Sequence, residues 1–104
     1  MKIINGRGKE FYDEGELRFE GEYLNGLRNG KGKVYNENNG KLEFEGEYIL
    51  GIINGKGKEY YDGELLFQGE YLYGLKLKGK EYRNNKLEYE GEYLYTKKWK
   101  SQRI

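Results

Sequence analysis

Apolar and polar residues alternate along several stretches of the chain. From Leu17 to Tyr23, positions 17, 19, 21 and 23 are Leu, Phe, Gly and Tyr, and positions 18, 20 and 22 are Arg, Glu and Glu. A period of two is that of a β-strand with one buried face. From Gly30 to Tyr35 the alternation resumes, with Gly30, Gly32 and Val34 on one face and Lys31, Lys33 and Tyr35 on the other. Between them, Leu24-Asn25-Gly26-Leu27-Arg28-Asn29 holds the Asn-Gly pair of a turn. The segment therefore predicts a β-hairpin.

The hairpin repeats. Phe19–Lys33 (FEGEYLNGLRNGKGK) returns as Phe44–Lys58 (FEGEYILGIINGKGK) and as Phe67–Lys80 (FQGEYLYGLKLKGK), and a fourth copy opens at Tyr89 (YEGEYLY). Asn5–Tyr12 matches the second half of a unit, and Lys97–Lys100 reads as a worn one. The chain divides into a half repeat (1–14), repeats at 15–39, 40–62 and 63–85, and a partial repeat (86–104), all in one domain spanning 1–104. Such self-similarity decides a fold before any local detail. The expected architecture is all-β: an elongated, single-layer antiparallel meander of stacked hairpins, with about eight strands and no helix.

Register follows from pairing faces. Tyr23 against Gly30 sets Gly21 against Gly32, Phe19 against Val34, Glu22 against Lys31 and Glu20 against Lys33. Unit two repeats this with Tyr48 against Gly55, Glu47 against Lys56 and Glu45 against Lys58. Unit three is one residue shorter, and the loss is expected in its hairpin loop. Between units, the same reasoning sets Gly8 against Phe19, Gly32 against Phe44, Gly57 against Phe67 and Gly79 against Tyr89. Rings then lie beside cross-strand glycines on one face, while Glu and Lys rows alternate on the other.

Composition sharpens the picture. Seventeen Gly and twelve Tyr stand in 104 residues, with no Pro, Cys or His, and hydrophobic residues are 36%. That is low beside the roughly 45–50% of ordinary domains, so a thin structure with an aromatic core is expected. Without cysteine there is no disulfide framework and no Cys-based metal site. A net charge of +1 gives no field to draw in nucleic acid. The N-terminal MKIINGRGKEFY lacks the apolar run of a secretion signal, and no stretch reads as membrane-spanning. The expected location is cytoplasmic, with peripheral membrane contact as a variant.

Candidate chemistry is sparse. The pairs Glu20/Glu22, Glu45/Glu47 and Glu90/Glu92 recur with matching lysines, so they read as a solvated ladder and not as acid and base, which need unlike carboxylates in one cleft. Gly30-Lys31-Gly32 and Gly55-Lys56-Gly57 lack the following helix of a phosphate cradle. No enzyme, cofactor or metal is expected. The aromatic face (Phe19, Tyr23, Phe44, Tyr48, Phe67, Tyr71, Tyr89, Tyr93), together with Trp99 and the two open edge strands of the meander, is the candidate surface for a protein partner or for self-association. Lys56, Lys58, Lys78, Lys80, Lys97 and Lys98 are candidates for holding an anion. Copies depart from the rule at Leu77, in the Ile49–Ile53 loop and in the Trp99 tail, and function is expected there.

The unit resembles the MORN (membrane occupation and recognition nexus) repeat, whose pattern is Y-x-G-x-W/Y-x-x-G-x-x-x-G-x-G. Phe19, Gly21, Tyr23, Gly26, Gly30 and Gly32 match in turn, as do Phe44, Gly46, Tyr48, Gly51, Gly55 and Gly57. In unit three Leu77 stands near the place of the penultimate glycine, and unit four has Thr96 and Lys97 where glycines are expected. The resemblance implies an elongated, twisted sheet of stacked hairpins serving as a scaffold or adaptor, with homodimerisation. For some members it implies binding of anionic phospholipid.

Overall fold

The computed structural model describes residues 4–95 and 97–101, with side chains through Lys98. Nine strands follow in chain order: β1 (Gly6–Phe11), β2 (Leu17–Leu24), β3 (Leu27–Tyr35), β4 (Leu42–Ile49), β5 (Ile52–Tyr61), β6 (Glu64–Leu72), β7 (Leu75–Arg83), β8 (Lys86–Leu94) and β9 (Lys97–Ser101). They form one antiparallel sheet in sequential order, with no helix among the described residues. This is the expected meander with a ninth strand, which the worn half unit supplies. The molecule measures 51 × 27 × 18 Å. Eight inter-strand steps of about 4.8 Å make roughly 38 Å, so the long dimension runs across the strands.

Hairpin turns are tight. Asn25-Gly26, Leu50-Gly51 and Tyr73-Gly74 each place both residues at positive φ, with values of 51/80, 48/87 and 49/84°. This geometry matches the twist of the flanking strands. Each turn is tied to the previous unit. The amides of Asn25, Leu50 and Tyr73 donate to the side-chain oxygens of Asn5, Asn29 and Asn54, at 2.8, 3.0 and 2.9 Å. The stapling side chains come from a second set of Asn-Gly pairs, Asn5-Gly6, Asn29-Gly30 and Asn54-Gly55, and not from the turn pair Asn25-Gly26. Leu77 has no carboxamide to offer the amide of Tyr95.

The structure corrects the expected register in two ways. Within the hairpins, Gly21–Gly32, Phe19–Val34 and Glu20–Lys33 pair as expected, but Tyr23 pairs with Arg28 instead of Gly30, and Tyr48 with Ile53 instead of Gly55. A bulge accounts for the difference. Glu22 takes no opposite residue; it accepts the Lys31 amide at 3.0 Å, and Glu47 accepts that of Lys56 at 2.7 Å. Gly30 and Gly55 sit in the bulge at φ 107 and 110°, which only glycine adopts readily. In unit three the missing residue comes out of this bulge, leaving a smaller one between Glu70 and Tyr71, and the turn keeps its two residues.

At the junctions between units the pairing lies two residues from expectation. Gly8 faces Gly21, Gly32 faces Gly46, Gly57 faces Gly69 and Gly79 faces Gly91, and each of these strand pairs carries a bulge. The faces are unchanged because the side-chain period is two. Eight glycines therefore form one continuous row across the sheet, from Gly8 to Gly91.

Rings cover that row on one side. Phe19, Tyr23, Phe44, Tyr48, Phe67, Tyr71 and Tyr93 are the buried residues, with Val34, Ile53 and Tyr89 packed against them. They make an unbroken edge-to-face ladder in the order Tyr23, Phe19, Tyr48, Phe44, Tyr71, Phe67, Tyr93, Tyr89, with centroids 5.5–6.1 Å apart. Edge-to-face contacts favour such pairs beyond the area they bury. The ladder stands in for a second layer.

Candidate functional site

The residues expected to offer an aromatic groove are the core. Phe19 is 0% exposed and Phe67 1%. The twist and the bare glycine backbone let each ring lie down on the sheet and against its neighbours, which closes this face. Trp99 belongs to β9, and its side chain lies outside the described residues.

Three charged clusters stand at the rim of the ladder, and the sequence reading missed them. The Tyr23 hydroxyl donates to Glu10 at 2.7 Å, and Arg28 forms a two-pronged bond to the same carboxylate at 2.8 Å on each prong. Tyr71 donates to Glu59, with Lys76 at 3.7 Å from that carboxylate. Tyr93 donates to Glu81 at 2.5 Å, with Lys98 at 3.4 Å. The cations also lie over rings: Arg28 is 4.0 Å from the Phe19 centroid and Lys76 is 4.4 Å from that of Phe67. In unit two, Val34 and Ile53 stand where the carboxylate and cation stand elsewhere, and both pack on the core. The signal was available: Glu10, Glu59 and Glu81 share the parity of the glycines and rings, not that of the Lys row.

These clusters predict a double-mutant result. Glu59→Val leaves the Tyr71 hydroxyl and the Lys76 ammonium without their acceptor and is expected to cost about 1–3 kcal/mol. Adding Lys76→Ile and Tyr71→Phe removes the stranded groups and should restore most of that loss. Urea unfolding of the single and triple variants checks it.

They also predict pH behaviour. The Arg28 hydrogen bond holds the Glu10 carboxyl below its ordinary range, and the same bond raises Arg28. Burial, then the bond to Glu10, pushes Tyr23 up to about 12; burial, then Glu45, does the same for Tyr60. Burial followed by Glu59 and Glu81 raises Tyr71 and Tyr93 as well. A raised phenol contributes stability that is fully present below the unfolded value of 10.0 and is lost as pH rises toward about 12. The expected outcome is a midpoint that falls steeply in that window, with phenolate absorbance appearing together with unfolding. A flat stability profile across it would contradict these bonds. At the acid end, the Glu10 contribution is present above its unfolded value of 4.5 and is lost as pH falls through its depressed folded value.

The groove lies on the opposite face. It has a volume of about 1090 Å³ and is floored by Gly32, Gly46, Gly57, Gly69, Gly79 and Gly91. One wall runs Lys33, Glu45, Lys58, Gln68, Lys80, Glu90, and the other Lys31, Glu47, Lys56, Glu70, Lys78, Glu92. Alternation neutralises each wall except at Gln68, which stands where Glu20, Glu45 and Glu90 stand in other units. Lys58 and Lys80 both face Gln68, and Glu70 is the carboxylate that this strand turns to the groove, 3.7 Å from Lys78. Tyr60 donates to Glu45 at 2.8 Å, whereas Tyr82 has the neutral Gln68 in the matching place. Lys56, Lys58, Lys78 and Lys80 are thus brought together in one groove. Lys97 and Lys98 are not: β9 holds them at the far end, and Lys98 is engaged with Glu81 and the Tyr89 ring.

A third surface is apolar. The turns of the hairpins put Leu24, Leu27, Ile49, Leu50, Ile52, Leu72, Tyr73 and Leu75 along one long side, each 44–76% exposed. The Asn staples hold successive turns close enough that Leu27 and Ile52 reach the neighbouring turn glycines. Of the Ile49–Ile53 segment, singled out from the sequence, Ile49, Leu50 and Ile52 lie within this ribbon, and Ile53 packs on the aromatic core. Compared with known proteins, the chain matches no family model and no curated protein.

Proposed function

We propose that the chain is a non-catalytic MORN-type repeat scaffold that holds a protein partner, or a second copy of itself, along its apolar turn ribbon. The observation that carries this reading is the ribbon. Contiguous exposed apolar surface on a chain otherwise dense in charge marks an interaction site. The Asn staples hold successive turns in line. The experiment is affinity capture with quantitative mass spectrometry, alongside light scattering, for the wild type and for Leu50→Glu/Ile52→Lys. The expected result is a partner or dimer held by the wild type and lost in the variant, with unchanged circular dichroism. A wild type that stays monomeric and retains nothing more than the variant does would end the reading.

A second reading is binding of anionic headgroups in the groove, and the break at Gln68 favours it. Gln68→Glu restores the alternation. It is expected to weaken binding to vesicles containing a phosphoinositide by several-fold, in line with a cost of about 1 kcal/mol for one added like charge near a surface. Flotation that is insensitive to both salt and this substitution would count against it.

A further inference from the structure

Strands in this sheet are of two kinds. The even ones, β2, β4, β6 and β8, carry an aromatic residue, then Glu or Gln, Gly and Glu; β1, β3, β5 and β7 carry Arg-Gly-Lys or Lys-Gly-Lys across the same row, and β9 sets Ser101 opposite Gly91. Each interior odd strand lies between two even ones. Lys33, for example, faces Glu20 on one side and Glu45 on the other. Among the described residues, β1 is an outermost strand of the odd kind and pairs with β2 alone. Arg7 and Lys9 face Glu22 and Glu20 on that side only, with Lys9 at 4.0 Å from Glu20.

The ring ladder is also one step short here. Gly57 is covered by two rings, Phe44 from the preceding strand and Tyr71 from the following one, and Gly32 likewise by Phe19 and Tyr48. Gly8 has Tyr23 from the following strand and, on its other side, the half-exposed Ile4. Glu59 sits between Phe44 and Phe67, whereas Glu10 has Phe19 alone.

We propose that the open edge of β1 is a docking site for an acidic aromatic strand of a partner protein, of the type aromatic-Glu-Gly-Glu. Edge strands present unpaired backbone groups that add strands readily. The interior hairpins give the expected register: the incoming glycine opposite Gly8, its first glutamate opposite Lys9, its second in a bulge beside Arg7, and its ring beside Glu10 and over Gly8. A second copy of this chain does not meet the requirement. The other outer strand, β9, is also of the basic kind (Lys97-Lys98-Trp99-Lys100), so edge-to-edge pairing would set like charges opposite one another. This site is separate from the turn ribbon, and each can fail without the other.

The test uses the whole chain and the labelled octapeptide LEFEGEYI, which is Leu42–Ile49 of its own sequence, with LKFKGKYI as the charge-swapped control. Fluorescence anisotropy is expected to show saturable binding of the acidic peptide, about tenfold or more tighter than the control. Arg7→Gln/Lys9→Gln should weaken it several-fold, and peptide LEAEGEYI should bind more weakly than LEFEGEYI. Backbone amide shifts on titration are expected at Gly6–Phe11, which separates this edge from β9 and from unfolding. No binding, equal binding of both peptides, or shifts that leave β1 unmoved would each overturn the proposal.

Discussion

Phe67→Ala is expected to remove about 3–5 kcal/mol of stability, the upper range for a buried aromatic. The ring is 1% exposed and meets Tyr71 and Tyr93 edge-on at 5.6 and 5.7 Å. It lies over Gly69 and Gly79, and Lys76 lies 4.4 Å from its centroid on another side. In a two-layer protein, neighbours from the facing layer partly collapse into such a void. Here the floor is glycine backbone and the walls are rings already pinned through their hydroxyls to Glu59 and Glu81. Little can move in. Domains of this size have roughly 5–15 kcal/mol in total, so the variant should melt at least about 15 °C lower. Leu66→Ala, next in sequence but on the other face and 40% exposed, should cost under about 1 kcal/mol. Thermal melts of the two variants decide it, and similar losses would mean that the ladder is not the core.

The two-residue period made much of this legible. It separated the faces, identified the hairpins and showed why glycines accompany rings. It could not locate the junctions, because sliding a strand by two residues preserves every face: Gly32 against Phe44 and Gly32 against Gly46 satisfy the same parity. Bulges were hidden for a related reason. Three residues, Asn29 to Lys31, stand opposite Glu22, and the extra length is indistinguishable in sequence from a longer loop. The clusters around Glu10, Glu59 and Glu81 were masked because the Gly-Lys-Glu that holds each of them reads as a uniformly polar run. In the fold its glycine and glutamate face the rings, while its lysine faces away from them. The aromatic positions were read correctly as one face, but their exposure depends on how far a single sheet can cover itself, which alternation does not reveal.

The glycine row makes the sharpest prediction. Gly69→Ala adds one methyl to a strand, a change that in most strands would be neutral or helpful. Here that carbon would meet the Lys78 carbonyl oxygen and, at 2.7 Å each, the Gly79 Cα and the Phe67 Cζ. Two of those neighbours are backbone of the paired strand, and the third is a ring only 1% exposed. Relief requires the β6–β7 pair to separate or Phe67 to leave its place, so the expected cost is about 3 kcal/mol or more, at the top of the range for overpacking. Gly63→Ala is the control. Its added carbon meets nothing within 4 Å, but its φ of +86° disfavours any side chain, which costs about 1–2 kcal/mol. The two substitutions therefore separate glycine kept for space from glycine kept for conformation. Urea denaturation should rank Gly69→Ala as clearly the worse, with Gly46→Ala, whose carbon would meet the Phe44 ring at 2.6 Å and the Lys56 carbonyl oxygen at 2.7 Å, close behind. If Gly63→Ala proves equal or worse, the sheet has room above its glycines, and the close seating of the rings on bare backbone would have to be abandoned as the basis of the fold.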